Sequence, residues 1–288
     1  MSLIRTILFE SNVLTIRYVE CRPVDQNCGE VEQSDADVVV MPLRGAFVKH
    51  ILSGKKLLAE PSQALFFAAG RAYRVSHEVA LHDDSLALQF SPAILQQVLA
   101  NTTAADNFYA IDTNSLLSAP AIAARSLLLW RLKHQLAEPM EVEETSLNLI
   151  SSAFATASSG KKRSNRAGSS RSSQVEAARV ALIQSPEQKW TLSELSKIVD
   201  CSPYHLTRIF RKELGIPLHQ YHLRMRIAKS LNALLDTNDD LTNIALDAGF
   251  YSHSHFTSAF RQTLGTSPTE FRRSANSKTR KNLIARLS

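Results

Sequence analysis

The chain has 288 residues, of which 44% are hydrophobic, a size and composition that predict about two globular domains with sizeable cores. No apolar run reaches the roughly 18 residues of a membrane-spanning helix, and the first residues lack the basic-then-apolar layout of a secretory signal, so a cytoplasmic protein is expected. The net charge of +6 is uneven: residues 1–160 hold 12 Lys and Arg against 17 Asp and Glu (net −5), and residues 161–288 hold 21 against 10 (net +11). A strongly basic half favours a polyanionic partner.

The first 90 residues predict short β-strands. Segments rich in β-branched and aromatic residues alternate with turn signals such as Ser53-Gly54 and Glu60-Pro61-Ser62. A spacing of about ten residues between such segments is typical of an antiparallel sandwich or barrel. The predicted strands are Val13–Val19, Val38–Met41, Ala46–Leu52, Lys56–Ala59, Ala64–Ala68, Tyr73–His77 and Leu86–Phe90.

The pattern becomes helical after these strands. Ser91-Pro92 supplies an N-cap and a proline at the first helical position, and apolar residues then recur on single helical faces. The predicted helices are Ala93–Ala100, Ala119–Leu136 and Val142–Ala157. They either cover the barrel or pair two subunits.

A segment rich in Ser, Gly and basic residues, 157–173, predicts a flexible linker because it has almost no apolar side chains to bury. The linker divides the chain into an N-terminal domain (1–156) and a second domain (174–274), and a basic tail (275–288) ends it. Three cysteines, Cys21, Cys28 and Cys201, do not make a disulfide framework. Reduced structural thiols are expected, with a thiol sensor or metal site as the alternative.

The second domain contains an internal repeat. Ser202–Tyr221 (SPYHLTRIFRKELGIPLHQY) aligns with Ser252–Phe271 (SHSHFTSAFRQTLGTSPTEF) at a spacing of 50 residues, and the upstream Leu195-Ser196 aligns with Ile244-Ala245 at 49. Each copy predicts a helix, a tight turn and a second helix, with the turn one residue longer in the second copy. The local signals are the capping box Thr191/Glu194, the turn residues Asp200 and Gly249, the N-caps Ser202 and Ser252, and the C-cap glycines Gly215 and Gly265.

On each second helix the apolar residues recur at intervals of four. These core stripes are Leu206, Phe210 and Leu214 in the first copy, and Phe256, Phe260 and Leu264 in the second. A helix, a tight turn and a helix with one polar face is the helix-turn-helix plan, in which the second helix enters the major groove of DNA. A helix predicted at about Gln220–Leu235 would hold two such units on grooves ~34 Å apart.

At these residues the sequence resembles the AraC/XylS family of transcriptional regulators, over roughly Val175–Arg273. The resemblance implies sequence-specific binding of double-stranded DNA, and activation through contact with RNA polymerase rather than repression. It also implies an α+β fold in which a cupin-like N-terminal β-barrel senses a small-molecule effector, forms a homodimer, or does both. The residues that carry it are Ile244-Ala245, Gly249-Phe250, Ser252, Phe256, Phe260-Arg261, Gly265, Ser267-Pro268 and Phe271-Arg272.

The same resemblance assigns the DNA contacts. Base-edge contacts fall on Tyr204, Thr207 and Arg208 in the first unit, and on His253, Ser254, Thr257 and Ser258 in the second. Arg211 and Arg261 are expected to contact phosphates. The alternative for each residue is an ordinary solvated helix face. Ser258 departs from the Arg or Lys frequent at this place in the family, so weaker base reading by the second unit is expected.

Two other functions compete with this interpretation. The first is a metal-dependent cupin enzyme, whose candidate ligands are His50, His77, Glu78 and His82. The barrel region has no His-x-His, and the chain has no Gly-rich phosphate loop or G-x-S-x-G, so no enzyme, metal or cofactor is expected. The second is a DNA-binding regulator whose N-terminal domain only dimerises or contacts proteins.

Overall fold

The computed structural model describes residues 2–23, 29–77, 82–100, 114–159 and 170–276. All seven predicted strands are present, and β1, β3 and β10 are additional. The strands are β1 (Ser2–Glu10), β2 (Leu14–Arg22), β3 (Glu32–Gln33), β4 (Val38–Arg44), β5 (Phe47–Ile51), β6 (Lys56–Ala59), β7 (Gln63–Phe67), β8 (Ala72–Ser76), β9 (Asp83–Phe90) and β10 (Asn114–Leu116).

The strands form two antiparallel sheets. One sheet has the order β1-β2-β9-β4-β7-β10, and the other has the order β3-β8-β5-β6. The α+β class is confirmed, but the described strands leave both sheets open, whereas the sequence predicted a cupin-like barrel. The edges are β1 and β10 in one sheet and β3 and β6 in the other, and none of these edges pairs across to the other sheet in the described residues.

Strand β4 extends past the predicted end at Met41 and includes Pro42. A proline cannot donate a hydrogen bond to a neighbouring strand, so a central strand normally excludes it. Here β4 pairs with β7 only at Val38–Val40, and its register against β9 shifts between Pro42 and Arg44. The bulge therefore accommodates the proline.

Ten helices lie in the described residues. They are α1 (Pro92–Ala100), α2 (Ala119–Lys133), α3 (Pro139–Ser159), α4 (Ser170–Gln184), α5 (Leu192–Ile198), α6 (Pro203–Leu214), α7 (Leu218–Asp236), α8 (Leu241–Asp247), α9 (His253–Leu264) and α10 (Pro268–Asn276). Helix α2 ends before the predicted Leu136 because the chain turns at Gln135, whose φ is 55°. None of the described helices combines the length and apolar character needed to cross a bilayer.

The outer parts of the predicted linker are helical, since α3 continues to Ser159 and α4 begins at Ser170. Residues 160–169 and 277–288, which hold the rest of the linker and most of the predicted tail, lie outside the described residues. Cys28 and Glu78 also lie outside them.

One apolar core joins the sheets to the C-terminal helices. Phe154 of α3 stacks on Phe66 of β7 with ring centroids 4.7 Å apart, so α3 covers a sheet, as one of the two alternatives predicted. Helix α2 packs against α7 and α9, and Ile122 belongs to the same buried cluster as Leu231 and Phe256. The N-terminal and C-terminal parts of the chain are therefore in direct contact.

Candidate nucleic-acid interface

Local capping signals start and stop the helices of both repeats as predicted. Thr191 Oγ1 accepts a hydrogen bond from the Glu194 backbone N–H at 3.2 Å, and the Glu194 carboxylate accepts one from the Thr191 backbone at 2.7 Å. The hydrogen bonds from Thr191 lower the pKa of Glu194. Ser202 and Ser252 cap α6 and α9 in the same way, each accepting a backbone hydrogen bond at 3.2 Å.

The turns inside the two units differ in length by one residue, as the repeat alignment predicted. Four residues separate α5 from α6, and five separate α8 from α9. Asp200 occupies the left-handed region with φ 49° in the first turn, and Gly249 does so with φ 84° in the second. Both residue types tolerate this conformation, glycine at the lowest cost.

The apolar stripes of α6 and α9 face inward. Leu206, Phe210, Phe256 and Phe260 are fully buried, and Leu264 is nearly so. Leu214, at the last residue of α6, is only half-buried. Burial of these stripes fixes which side of each helix remains outside.

The nine predicted contact residues all lie on these two helices. Eight are exposed and Thr257 is half-buried: Tyr204, Thr207, Arg208 and Arg211 on α6, and His253, Ser254, Thr257, Ser258 and Arg261 on α9. Tyr204 is 77% exposed, an unusual position for a large aromatic ring in a folded chain. Thr207 Oγ1 donates to the Tyr204 carbonyl at 2.9 Å, and Thr257 Oγ1 lies 3.4 Å from His253 Nε2.

The arginine side chains on these two helix faces form no ion pairs with other described residues. In the part of the chain that the structure describes, no ion pair engages Arg208, Arg211 or Arg261. An exposed guanidinium that donates no hydrogen bond to a carboxylate retains its full donor set for a phosphate or a base edge.

A groove of about 730 Å³ lies beside α6 and extends the predicted site. Tyr204, Thr207, Arg208 and Arg211 line it together with Lys212, His219 and Trp190. Lys212 is not among the contact residues predicted from the sequence, although it lies four residues after Arg208 and thus on the same side of the helix. His219 belongs to the next helix, and only the tertiary structure brings it here.

A loop between α4 and α5 fixes the two units relative to each other. The His222 Nε2–H and the Arg226 side chain of α7 donate to the Pro186 carbonyl at 2.8 and 3.1 Å. Lys229 pairs with Glu187 at 2.8 Å. Gly249, in the turn of the second unit, lies so close to Glu187 that an added Cβ would be 2.2 Å from the Glu187 carbonyl oxygen. The loop that leads into the first unit therefore contacts both the long helix and the second unit.

The histidines considered for a cupin-type metal site do not converge. His50 hydrogen-bonds Ser76, and His82 lies 3.6 Å from Asp84 with half of its side chain exposed. His77 instead contacts Asp83 at 2.8 Å.

Comparison with known proteins places the C-terminal part of the chain. A family model described as a helix-turn-helix domain matches residues 195–274. The HTH-type transcriptional regulator MtrA of Neisseria gonorrhoeae is 29% identical over 97 residues, which cover 34% of this chain and 32% of MtrA. The HTH-type transcriptional activator AarP of Providencia stuartii is 36% identical over 82 residues, covering 28% of this chain and 61% of AarP.

The similarity to these proteins is therefore partial, and the chain spans about a third of the length of the first curated relatives that it matches. Among solved structures, an apo form of ToxT from Vibrio cholerae with a single lysine-to-alanine substitution aligns over 91% of this chain and 97% of its own, with a TM-score of 0.42 and 11% identity. The residues that the helix-turn-helix family model matches, 195–274, contain nearly all of the two units α5–α6 and α8–α9. The resemblance of the C-terminal third of this chain to AraC/XylS transcriptional regulators is confirmed, since residues 195–274 match a helix-turn-helix domain and the relatives that share this segment are HTH-type regulators.

Proposed function

We propose that this protein is a sequence-specific DNA-binding transcriptional regulator whose helices α6 and α9 enter successive major grooves of one duplex. The observation that carries the proposal is the pair of units, each presenting a polar and partly basic helix face, held by one loop and one long helix. The net charge of +11 in residues 161–288 supports it, since a basic domain gains free energy by releasing counterions from DNA. Binding to a chromosomal site would place the protein in the cytoplasm.

Within this proposal the nine residues divide into two roles. Tyr204, Thr207 and Arg208 read base edges through α6, and the polar side chains of α9 from His253 to Ser258 do so in the next groove. Arg211 and Arg261 lie further along each helix, where phosphate contacts position the protein on the duplex. We add Lys212 to the phosphate-contacting group because it is exposed and lines the same groove as Arg211.

The direct test is selection of bound DNA from a random pool by the full-length chain. The proposal predicts enrichment of a two-part sequence whose halves are centred about one helical turn, ~34 Å, apart. A folded chain that enriches no sequence would overturn it.

Arginine variants separate the two roles. Arg208→Ala should weaken binding to the selected site by ~1–3 kcal/mol and relax preference at one base, whereas Arg211→Ala should weaken binding to all sequences and reduce the salt slope by about one. Arg5→Ala is a matched control, because it removes an exposed arginine from edge strand β1 of the other domain. If Arg208→Ala bound the selected site with unchanged affinity, the assignment of α6 to the major groove would be refuted.

Contacts between the two parts of the chain support control of DNA binding by the N-terminal domain. Arg44 pairs with Asp236 of α7 at 2.5 Å, and the Arg179 guanidinium of α4 lies 3.5 Å from the buried Glu60 carboxylate. A small molecule that moved the sheets would therefore move the helices that carry the DNA-reading units. Thermal unfolding of the full chain with candidate metabolites tests whether an effector exists. A homodimer and contact with RNA polymerase stay predictions of the family resemblance.

A further inference from the structure

Three buried side chains with metal-binding atoms meet where the two sheets approach each other. Cys21 belongs to β2 and Asp83 to β9, both in the six-stranded sheet, while His77 directly follows β8 of the four-stranded sheet. Their exposed fractions are 4%, 3% and 2%. The regulatory function described above uses none of them.

The register of the sheet brings these groups together. Cys21 and Asp83 are direct cross-strand partners, so their side chains project from the same face. His77 Nε2 lies 2.8 Å from Asp83 Oδ1. One sulfur, one nitrogen and one oxygen atom from the three residues all lie within 4.8 Å of one another.

These distances approach those of a coordinated ion. Zinc binds sulfur at about 2.3 Å and nitrogen or oxygen at about 2.0–2.2 Å, so neighbouring ligand atoms of a tetrahedral ion are separated by about 3.5 Å. The three atoms therefore lie close enough together for one ion to bind all of them once the side chains adjust. The Asp83 carboxylate is paired with His77 at 2.8 Å, and a bound cation would replace that pairing by taking the carboxylate oxygen and the imidazole nitrogen as ligands.

We propose that Cys21, His77 and Asp83 bind a divalent cation of the zinc class, with water in the fourth position. The mixed sulfur, nitrogen and oxygen donor set suits a borderline ion, whereas magnesium and calcium prefer oxygen donors alone. Because His77 directly follows a strand of one sheet and the other two residues lie in the opposite sheet, the ion would link the two open sheets. The site shares only His77 with the histidine set considered for a cupin enzyme.

Cobalt(II) titration of the reduced full-length chain tests the proposal, since cobalt replaces zinc and gives a near-ultraviolet charge-transfer band when a thiolate binds it. The proposal predicts such a band saturating at one equivalent, its loss on addition of zinc, and a higher unfolding temperature with either metal. A folded chain that gives no thiolate–cobalt band would refute the site.

Cysteine variants identify the thiol. Cys21→Ser should abolish the band, and Cys201→Ser, which changes a half-buried cysteine of the other domain, should retain it. Cys28→Ser should also retain it. A band that survives Cys21→Ser or disappears in either control would assign the metal elsewhere.

Asp83→Asn keeps the test decisive even where Cys21→Ser fails to fold. The amide preserves the shape of the side chain but is a poor ligand, so cobalt affinity should fall on the order of tenfold or more and the metal-dependent rise in unfolding temperature should shrink. Equal affinities of Asp83→Asn and the parent chain would contradict the proposed ligand set.

Discussion

The structure describes three glycines in the C-terminal domain: Gly215, Gly249 and Gly265. Of their alanine variants, Gly249→Ala should disturb the arrangement of the two DNA-reading units most. The new Cβ would lie 2.2 Å from the Glu187 carbonyl oxygen and 2.7 Å from two further backbone atoms of Glu187. Backbone atoms cannot rotate away as a flexible side chain does, so the loop between α4 and α5 has to shift. That loop is held to α7 by His222, Arg226 and Lys229.

The size of the effect follows from a comparison with Gly265. Both glycines have positive φ, 84° for Gly249 and 71° for Gly265, so alanine at either position pays the left-handed cost of roughly 1–2 kcal/mol. An added Cβ at Gly265 meets nothing within 4 Å. The difference between the two variants therefore isolates the contact with Glu187, and overpacking of this kind costs a further ~1–3 kcal/mol.

Chemical denaturation of Gly249→Ala and Gly265→Ala, compared with the parent chain, measures this difference. We expect Gly249→Ala to lose about 2–5 kcal/mol of unfolding free energy and Gly265→Ala only about 1–2 kcal/mol. DNA affinity at the selected two-part site should fall more for Gly249→Ala as well, because its loop shift moves one unit against the other. Equal destabilisation by the two variants would refute the proposed coupling through Glu187.

Three further predictions concern stability. Burial lowers the pKa of His222 to about 4, below the unfolded value of about 6.5, so the unfolded state binds more protons between these values and stability falls as the pH decreases through them. Between about pH 7 and pH 5 the parent chain should lose about 2 kcal/mol more than His222→Gln, whose amide can still donate to Pro186; parallel losses in denaturation curves would contradict this. Arg179→Met should cost ~3–5 kcal/mol by removing the guanidinium that pairs with the buried Glu60 carboxylate. The double variant with Glu60→Gln should recover much of this loss, and absence of recovery would show that the pair does not act as a unit. Phe256→Ala should lower the free energy of unfolding by ~3–5 kcal/mol, because it removes a ring packed against Phe250 and Phe260. The control Leu246→Ala, which changes an exposed residue, should lower it by less than about 1 kcal/mol. Similar losses in the two variants would argue against the proposed core of the second unit.

Local signals predicted the DNA-binding domain closely. Its signals join residues that are close in sequence, so the sequence alone reveals them. They are the capping box at Thr191, the N-cap serines and the four-residue spacing of Phe256, Phe260 and Leu264. Seven strands were predicted for the same reason, since β-branched runs between turn signals are local features.

Features that depend on distant residues were missed. Strand β1 mixes exposed Ile4 and Ile7 with polar residues and forms only because β2 pairs with it. The first turns of α4 are rich in serine and arginine, so composition predicted a linker there, whereas buried Val175 and Ala178 hold the helix in a tertiary core.

Arg179 contacts Glu60 from 119 positions away, and Cys21 lies more than fifty positions from His77 and Asp83. No short sequence motif indicates either contact. Closure of the sheets depends likewise on which edge strands can pair. Alternation along single strands is equally compatible with a sandwich and a barrel.

The central claim is that α6 and α9 are held at one separation and read two adjacent major grooves. Its most direct test is the affinity of the full-length chain for its selected site after insertion of about 5 or about 10 base pairs between the two halves, which adds half a helical turn or a full one. Either insertion should reduce the affinity to that of a single half-site, because α7 and the Glu187 loop prevent the units from separating. Unchanged affinity for the site carrying the longer insertion would contradict the account.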